Sequence, residues 1–253
     1  MFYAIHEFPF KWYERGAILK VAFALILLVI PFLPALAQTT HSRTEIIEHF
    51  CRAPEVTNGP EIDRIKSIEA RLGPVVGRLH GPRIHVAVIE SEEINAHTIT
   101  LNPSESLICI PIGIIRFMGE SEGEMAFVFA HETGHALDRA CKSSEGRAQI
   151  TPPSLGGALN KILGGTGRDL LAEQRTCESR ADTIGFAEFV AAGYNPYDAA
   201  GSFGRLMMYS GDTYTGLFAR LVELGKDHPM TPDRISHMRA LLNEQLQRGT
   251  TTQ

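Results

Sequence analysis

The chain has 253 residues, 44% hydrophobic and 21% charged, enough for one sizeable core; this excludes a stapled mini-protein, a fibrous repeat and wholesale disorder. Twenty-four Lys and Arg against 29 Asp and Glu give a net charge of -5. No basic block is present to neutralise a phosphate backbone, so nucleic acid is excluded as a partner.

At the N-terminus, Lys11, Arg15 and Lys20 precede an apolar run from Val21 to Ala37 that carries Pro31 and Pro34 and ends in Ala35-Leu36-Ala37. The run falls short of the about 20 apolar residues of a spanning helix. It has the basic, apolar and small-residue order of a secretory signal at 1–37, removed after Ala37. Retained, it would be an anchor giving peripheral membrane association. Export to the periplasm or envelope is therefore expected. Cys51, Cys109, Cys141 and Cys177 all lie in the exported part, where thiols oxidise, and four cysteines allow three pairings.

Residues 38–59 are polar and end in Asn58-Gly59-Pro60, which reads as a flexible arm before a domain spanning 60–248. Ile62, Ile65, Ile68 and Leu72 recur at spacings of three and four, predicting an amphipathic helix from Pro60. Ile84 to Ile89 is a β-branched run with the pattern of a strand buried on both faces. Thr98 to Leu101 and Leu107 to Ile110, separated by Asn102-Pro103-Ser104, predict a hairpin in the same small sheet.

From Ser121 the period changes to that of a helix reaching about Arg139, opened by the capping-box pair Ser121 and Glu124. A Gly-, Pro- and Ser-rich stretch at 143–168 is long enough to be a lid or rim. A second long helix runs from Leu170 to Ala192 and stops before Gly193 and Pro196. Asn195-Pro196 and Thr231-Pro232 start two more helices. A short helix, a few strands and then mostly helices make an α+β, mainly helical fold with a small sheet beside the long helix.

That long helix carries His131-Glu132-Thr133-Gly134-His135. Residues four apart share a helix face, so both imidazoles can reach one zinc ion at about 2.0 to 2.1 Å. Glu132, offset beside them, can take a proton from water on the metal without being a ligand. A catalytic zinc needs a third protein ligand and one open position. On the second long helix Glu178 and Asp182 also share a face; Glu178 can bind the metal while Asp182 hydrogen-bonds the remote nitrogen of a histidine ligand and fixes its tautomer.

The order of these segments, followed by His228-Pro229 and then Arg234-Ile235, resembles the zinc metallopeptidases of the HtpX and CAAX-prenyl-protease type, peptidase family M48. Asn95-Ala96, Ile108-Cys109-Ile110 and Gly113-Ile114-Ile115 are similar to the strand pair before the active-site helix of that family, and the resemblance covers about residues 60 to 245. His97-Thr98 departs from it, since an aromatic and a small residue are more usual there. The resemblance implies a gluzincin-like fold, one Zn2+ held by His131, His135 and Glu178, and endopeptidase activity on unfolded or misassembled envelope polypeptides, closest to the soluble, exported members.

In this reading zinc lowers the pKa of bound water to about 7, and Glu132 takes that proton and returns it to the leaving amine. His228 either stabilises the developing oxyanion or plugs the site as a fourth ligand, and Arg234 braces the acidic cluster. A sheet edge near 97–101 would let an extended substrate add as a strand. If both long helices converge on one zinc, Cys141 and Cys177 come within disulfide reach. The alternative is a chaperone or assembly factor that uses zinc structurally, and a scaffold with an accidental motif would hold no metal.

Overall fold

A computed structural model of the chain describes residues 42–138, 141, 166–210, 228 and 231–251. The N-terminal run read as a secretory signal and residues 143–165 of the Gly-, Pro- and Ser-rich stretch lie outside them. Numbered in chain order, the described elements are α1 Arg43–Cys51, α2 Pro60–Val76, β1 Arg83–Ile89, β2 His97–Asn102, β3 Glu105–Pro111, α3 Ile112–Phe117, α4 Glu122–Leu137, α5 Thr166–Ala191, α6 Pro196–Ser210 and α7 Pro232–Thr251. The described residues are mainly helical with one three-stranded sheet, as the α+β patterning predicts. Among the described residues no helix is long and apolar enough to cross a membrane.

The sheet has the order β1-β3-β2. β2 and β3 form the expected antiparallel hairpin, with Thr98 opposite Ile108, whereas β1 pairs parallel to β3 from Arg83 opposite Glu105 to Ile89 opposite Pro111. The middle place thus falls to β3, and Leu107 to Pro111 are buried without a break. The first half of β1, although equally β-branched, stays partly exposed, and only Ala87, Val88 and Ile89 are buried. Alternation divides β3 between two cores. Ile108 and Ile110 face the main core with Ile62, Ile65, Ile68 and Leu72 of α2 and Phe127 of α4, while Leu107 and Cys109 face a smaller cluster with Ile47 and Cys51 of α1.

The segment expected to be a flexible arm is therefore corrected over Arg43–Cys51, which is a helix. Periodicity missed it because only Ile47 and Cys51 are buried there. Long-range ties hold it in place: Cys51 is disulfide-bonded to Cys109, Arg43 pairs with Glu55 at 2.7 Å, and the Arg43 guanidinium donates to the Val86 carbonyl at 2.8 Å. Just beyond α1, Val56 N–H donates to Val88 O and Glu90 N–H to Pro54 O, and Glu55 bridges Ile89, so the outer edge of β1 is partly covered. β2 forms the opposite edge of the three-stranded order.

Helix starts follow local chemistry. Ser121 Oγ accepts from the Glu124 N–H at 3.3 Å, capping α4; the Glu124 carboxylate is engaged by Arg205 at 2.6 Å, so the capping box is used on one side. Thr231 Oγ1 accepts from the Arg234 N–H at 3.3 Å and caps α7. Gly193, at φ 79°, ends α5 in the left-handed conformation that favours glycine.

Candidate metal centre

α4 and α5 cross with their backbones in contact. A Cβ on Gly134 would stand 2.5 Å from Ala181 O, and one on Gly185 2.5 Å from Ala130 O. Only glycine fits at these two points. The crossing brings the faces carrying His131, His135, Glu178 and Asp182 together, and the Cys141–Cys177 disulfide ties the segment after α4 to the residue before Glu178.

His131, His135, Glu178 and His228 each offer a donor atom, all within 4.8 Å of one another. His131 Nε2 lies 3.1 Å from His135 Nε2, 3.3 Å from His228 Nδ1 and 3.4 Å from Glu178 Oε2. His135 Nε2 lies 3.4 Å from Glu178 Oε1, and His228 Nδ1 lies 3.0 Å from Glu178 Oε2. Tetrahedral ligands about 2.0 to 2.1 Å from zinc stand about 3.3 to 3.4 Å from each other, and the donor spacings cluster around that value. Nitrogen and carboxylate donors suit zinc. The residues present fit the ion.

The surrounding groups orient this donor set. His131 Nδ1 lies 2.8 Å from Asp182 Oδ1, which leaves Nε2 as the nitrogen turned to the cluster. Arg234 grips Asp182 through Nε at 2.8 Å and Nη2 at 2.7 Å, and its Nη1 lies 2.9 Å from Glu178 Oε2. Arg234, Asp182 and Glu178 are all buried, so each depends on the others for compensation of its charge. Burial opposes ionisation of Asp182, yet the Arg234 guanidinium and His131 hold its carboxyl down at about 2. Burial likewise opposes charge on Glu178, but His228 and Arg234 hold it well below the usual carboxylate range. For His228, burial disfavours the imidazolium, and the Glu178 and Glu132 carboxylates outweigh it and push the ring up to about 10. A cluster that draws positive charge this strongly onto an imidazole is a favourable seat for a cation.

Glu132 is 1% exposed and sits beside the donors rather than among them. Its Oε1 lies 3.5 Å from His228 Nε2. Its Oε2 accepts a hydrogen bond from the Thr98 hydroxyl at 2.7 Å, and the same hydroxyl lies 2.9 Å from the Glu132 carbonyl oxygen. Sequence patterning singled out Thr98 only for its place on a strand; a bond between residues 34 apart leaves no local signal.

One further group at the crossing escaped sequence reading. Glu188 of α5, 2% exposed, accepts a hydrogen bond from the hydroxyl of Thr133, inside the HExxH segment, and that hydroxyl also lies 2.8 Å from Ala130 O. Its local signal was a charge within the apolar run Phe186 to Val190.

No curated protein matches the chain. The sequence profile of peptidase family M48 matches residues 62–242, spanning every donor of the cluster and its braces. The chain therefore belongs to peptidase family M48 and is a zinc metallopeptidase, a hydrolase of peptide bonds.

Proposed function

We propose that the chain is an exported endopeptidase acting on unfolded or misassembled polypeptides of the cell envelope, with zinc held by His131, His135 and Glu178 and with Glu132 as the proton carrier. The observation that carries this reading is the placement of a buried carboxylate, Glu132, beside the donor set of three imidazoles and one carboxylate without joining it. A structural zinc site has no use for such a group. When bound, zinc would act as a Lewis acid that polarises the substrate carbonyl and acidifies water. Glu132 Oε2 is tied to Thr98, so Oε1 is the oxygen that accepts the proton from the attacking water and delivers it to the leaving amine.

The sheet supports this substrate class. β2 lies at one end of the order β1-β3-β2 and its Thr98 touches Glu132, so an extended chain pairing along β2 would run beside the base. An unfolded chain offers such a segment anywhere along its length. The two disulfides, Cys51–Cys109 and Cys141–Cys177, support an oxidising compartment and hence export.

One observation favours a second reading, a chaperone with a structural zinc: His228 brings a fourth donor, as a closed site requires. Zinc stoichiometry and casein cleavage, measured for the wild type and Glu132→Gln, separate the two. One zinc per chain with cleavage lost in Glu132→Gln is expected; equal cleavage by both proteins defeats the role of Glu132, and zinc without cleavage by either favours the chaperone.

A further inference from the structure

We propose that Thr98 is a positioning residue for the reaction: its hydroxyl pins the Glu132 carboxylate to the substrate-side strand and so fixes which oxygen works. The inference rests on reading Glu132 as the proton carrier.

A glutamate side chain has three rotatable bonds, and a carboxylate used for proton transfer has to stay within hydrogen-bond reach of the reacting atoms. Packing alone does not set the rotation of its terminal group. In this chain the Thr98 Oγ1 lies 2.7 Å from Glu132 Oε2 and 2.9 Å from Glu132 O, so one hydroxyl engages both the end of the side chain and its own main chain. With Oε2 tied back to β2, the carboxylate plane is set and Oε1 is left on the side of His228, 3.5 Å from its Nε2.

The pin is itself rigid. Thr98 is 8% exposed and stands opposite Ile108, a residue of β3 with no exposed surface. Being β-branched, it has few rotamers to choose from. The hydroxyl therefore reports the position of β2 to Glu132. A polypeptide that pairs along the outer edge of β2 and shifts that strand moves the donor with it, so strand occupancy and the aim of Oε1 are mechanically linked. Thr98 touches neither the donor cluster nor, on this account, the scissile bond; its effect passes through Glu132.

Thr98→Val keeps the shape and removes the donor, and Thr98→Ser restores a hydroxyl. Steady-state peptide cleavage on the zinc-loaded full chain should show kcat down by about tenfold or more for Thr98→Val, with KM within about twofold, since misplacement of a reacting group acts on turnover. Thr98→Ser should recover most of that loss, and zinc content should equal that of the wild type in both. A Thr98→Val enzyme with kcat within about twofold of the wild type, or a Thr98→Ser enzyme as slow as Thr98→Val, overturns the proposal. Should Thr98→Val not fold, Thr98→Ala set against Thr98→Ser carries the same comparison, and equal rates overturn it. Glu132→Gln, run alongside, keeps the two ideas apart: activity there removes the base, whereas its inactivity beside a fully active Thr98→Val removes only the pin.

Discussion

Gly134 and Ala181 meet main chain to main chain: a Cβ on Gly134 would lie 2.5 Å from the Ala181 carbonyl oxygen and 3.0 Å from its Cα. Helix propensity favours alanine over glycine by about 1 kcal/mol in a helix interior, but overpacking costs about 1 to 3 kcal/mol, and backbone cannot swing aside. Gly134→Ala should therefore destabilise the protein and, by forcing α5 from α4, weaken zinc binding. Gly204 of α6 has nothing within 4 Å of its Cβ position, so Gly204→Ala should be neutral or slightly stabilising. Thermal unfolding and chelator competition of the two variants check this, and a Gly134→Ala protein with wild-type zinc retention would contradict it.

Glu188 gives a pH dependence of defined sign. Burial pushes its carboxyl from 4.5 up to about 7, with the Thr133 hydroxyl pulling weakly the other way, and Oε1 has no hydrogen-bond partner among the described residues. The folded state holds a proton that the unfolded chain releases near 4.5, so this contribution to stability is whole below pH 4.5 and falls as pH rises towards about 7. That gap corresponds to about 3 kcal/mol. Glu188→Gln, which keeps the shape and an acceptor for the Thr133 hydroxyl, should be spared the loss. Urea unfolding at pH 5 and pH 8 should show the variant gaining on the wild type at the higher pH, and a constant difference would rule the effect out.

The parts of this molecule that sequence made legible are those written in local spacing. Ile62, Ile65, Ile68 and Leu72 specified α2 and its buried face, and residues four apart placed His131 with His135 and Glu178 with Asp182 on single helix faces. The rest depends on what the chain meets after folding. The helix Arg43–Cys51 is held by a disulfide and an arginine reaching across to β1, neither of which has a period. The parallel pairing of β1 with β3 is a choice of topology that strand composition leaves open. Glu188 escaped the reading because its partner Thr133 is 55 residues away, leaving only a charge inside an apolar run as a signal.

His228 presents its two nitrogens to three residues: Nδ1 to Glu178 and His131, and Nε2 to Glu132. Because Nδ1 stands at donor spacing, His228 should act as a fourth ligand that closes the site, to be displaced before substrate enters. His228→Ala should lose zinc more readily to a chelator, by at least the about tenfold that removal of an outer-shell partner costs, while peptide cleavage at saturating zinc persists or rises. Oxyanion stabilisation predicts the opposite pattern, unchanged zinc affinity with a fall in kcat of about a hundredfold. Paired chelator titration and steady-state kinetics decide between them.

Arg234 is 3% exposed and bonds Asp182 through two nitrogens and Glu178 through a third. Burial works against its charge, but Asp182 and Glu178 raise its pKa further, so it stays protonated at every accessible pH. Arg234→Leu would leave two buried carboxylates short of compensation, and breaking a buried pair from one side costs about 3 to 5 kcal/mol. Zinc bound at the same carboxylate offsets part of that cost, because the ion supplies positive charge next to Glu178. Added zinc should therefore raise the melting temperature of Arg234→Leu by more than it raises that of the wild type, as differential scanning calorimetry with and without the metal would register. Equal shifts would mean that Arg234 braces Asp182 without balancing the charge at the donor cluster.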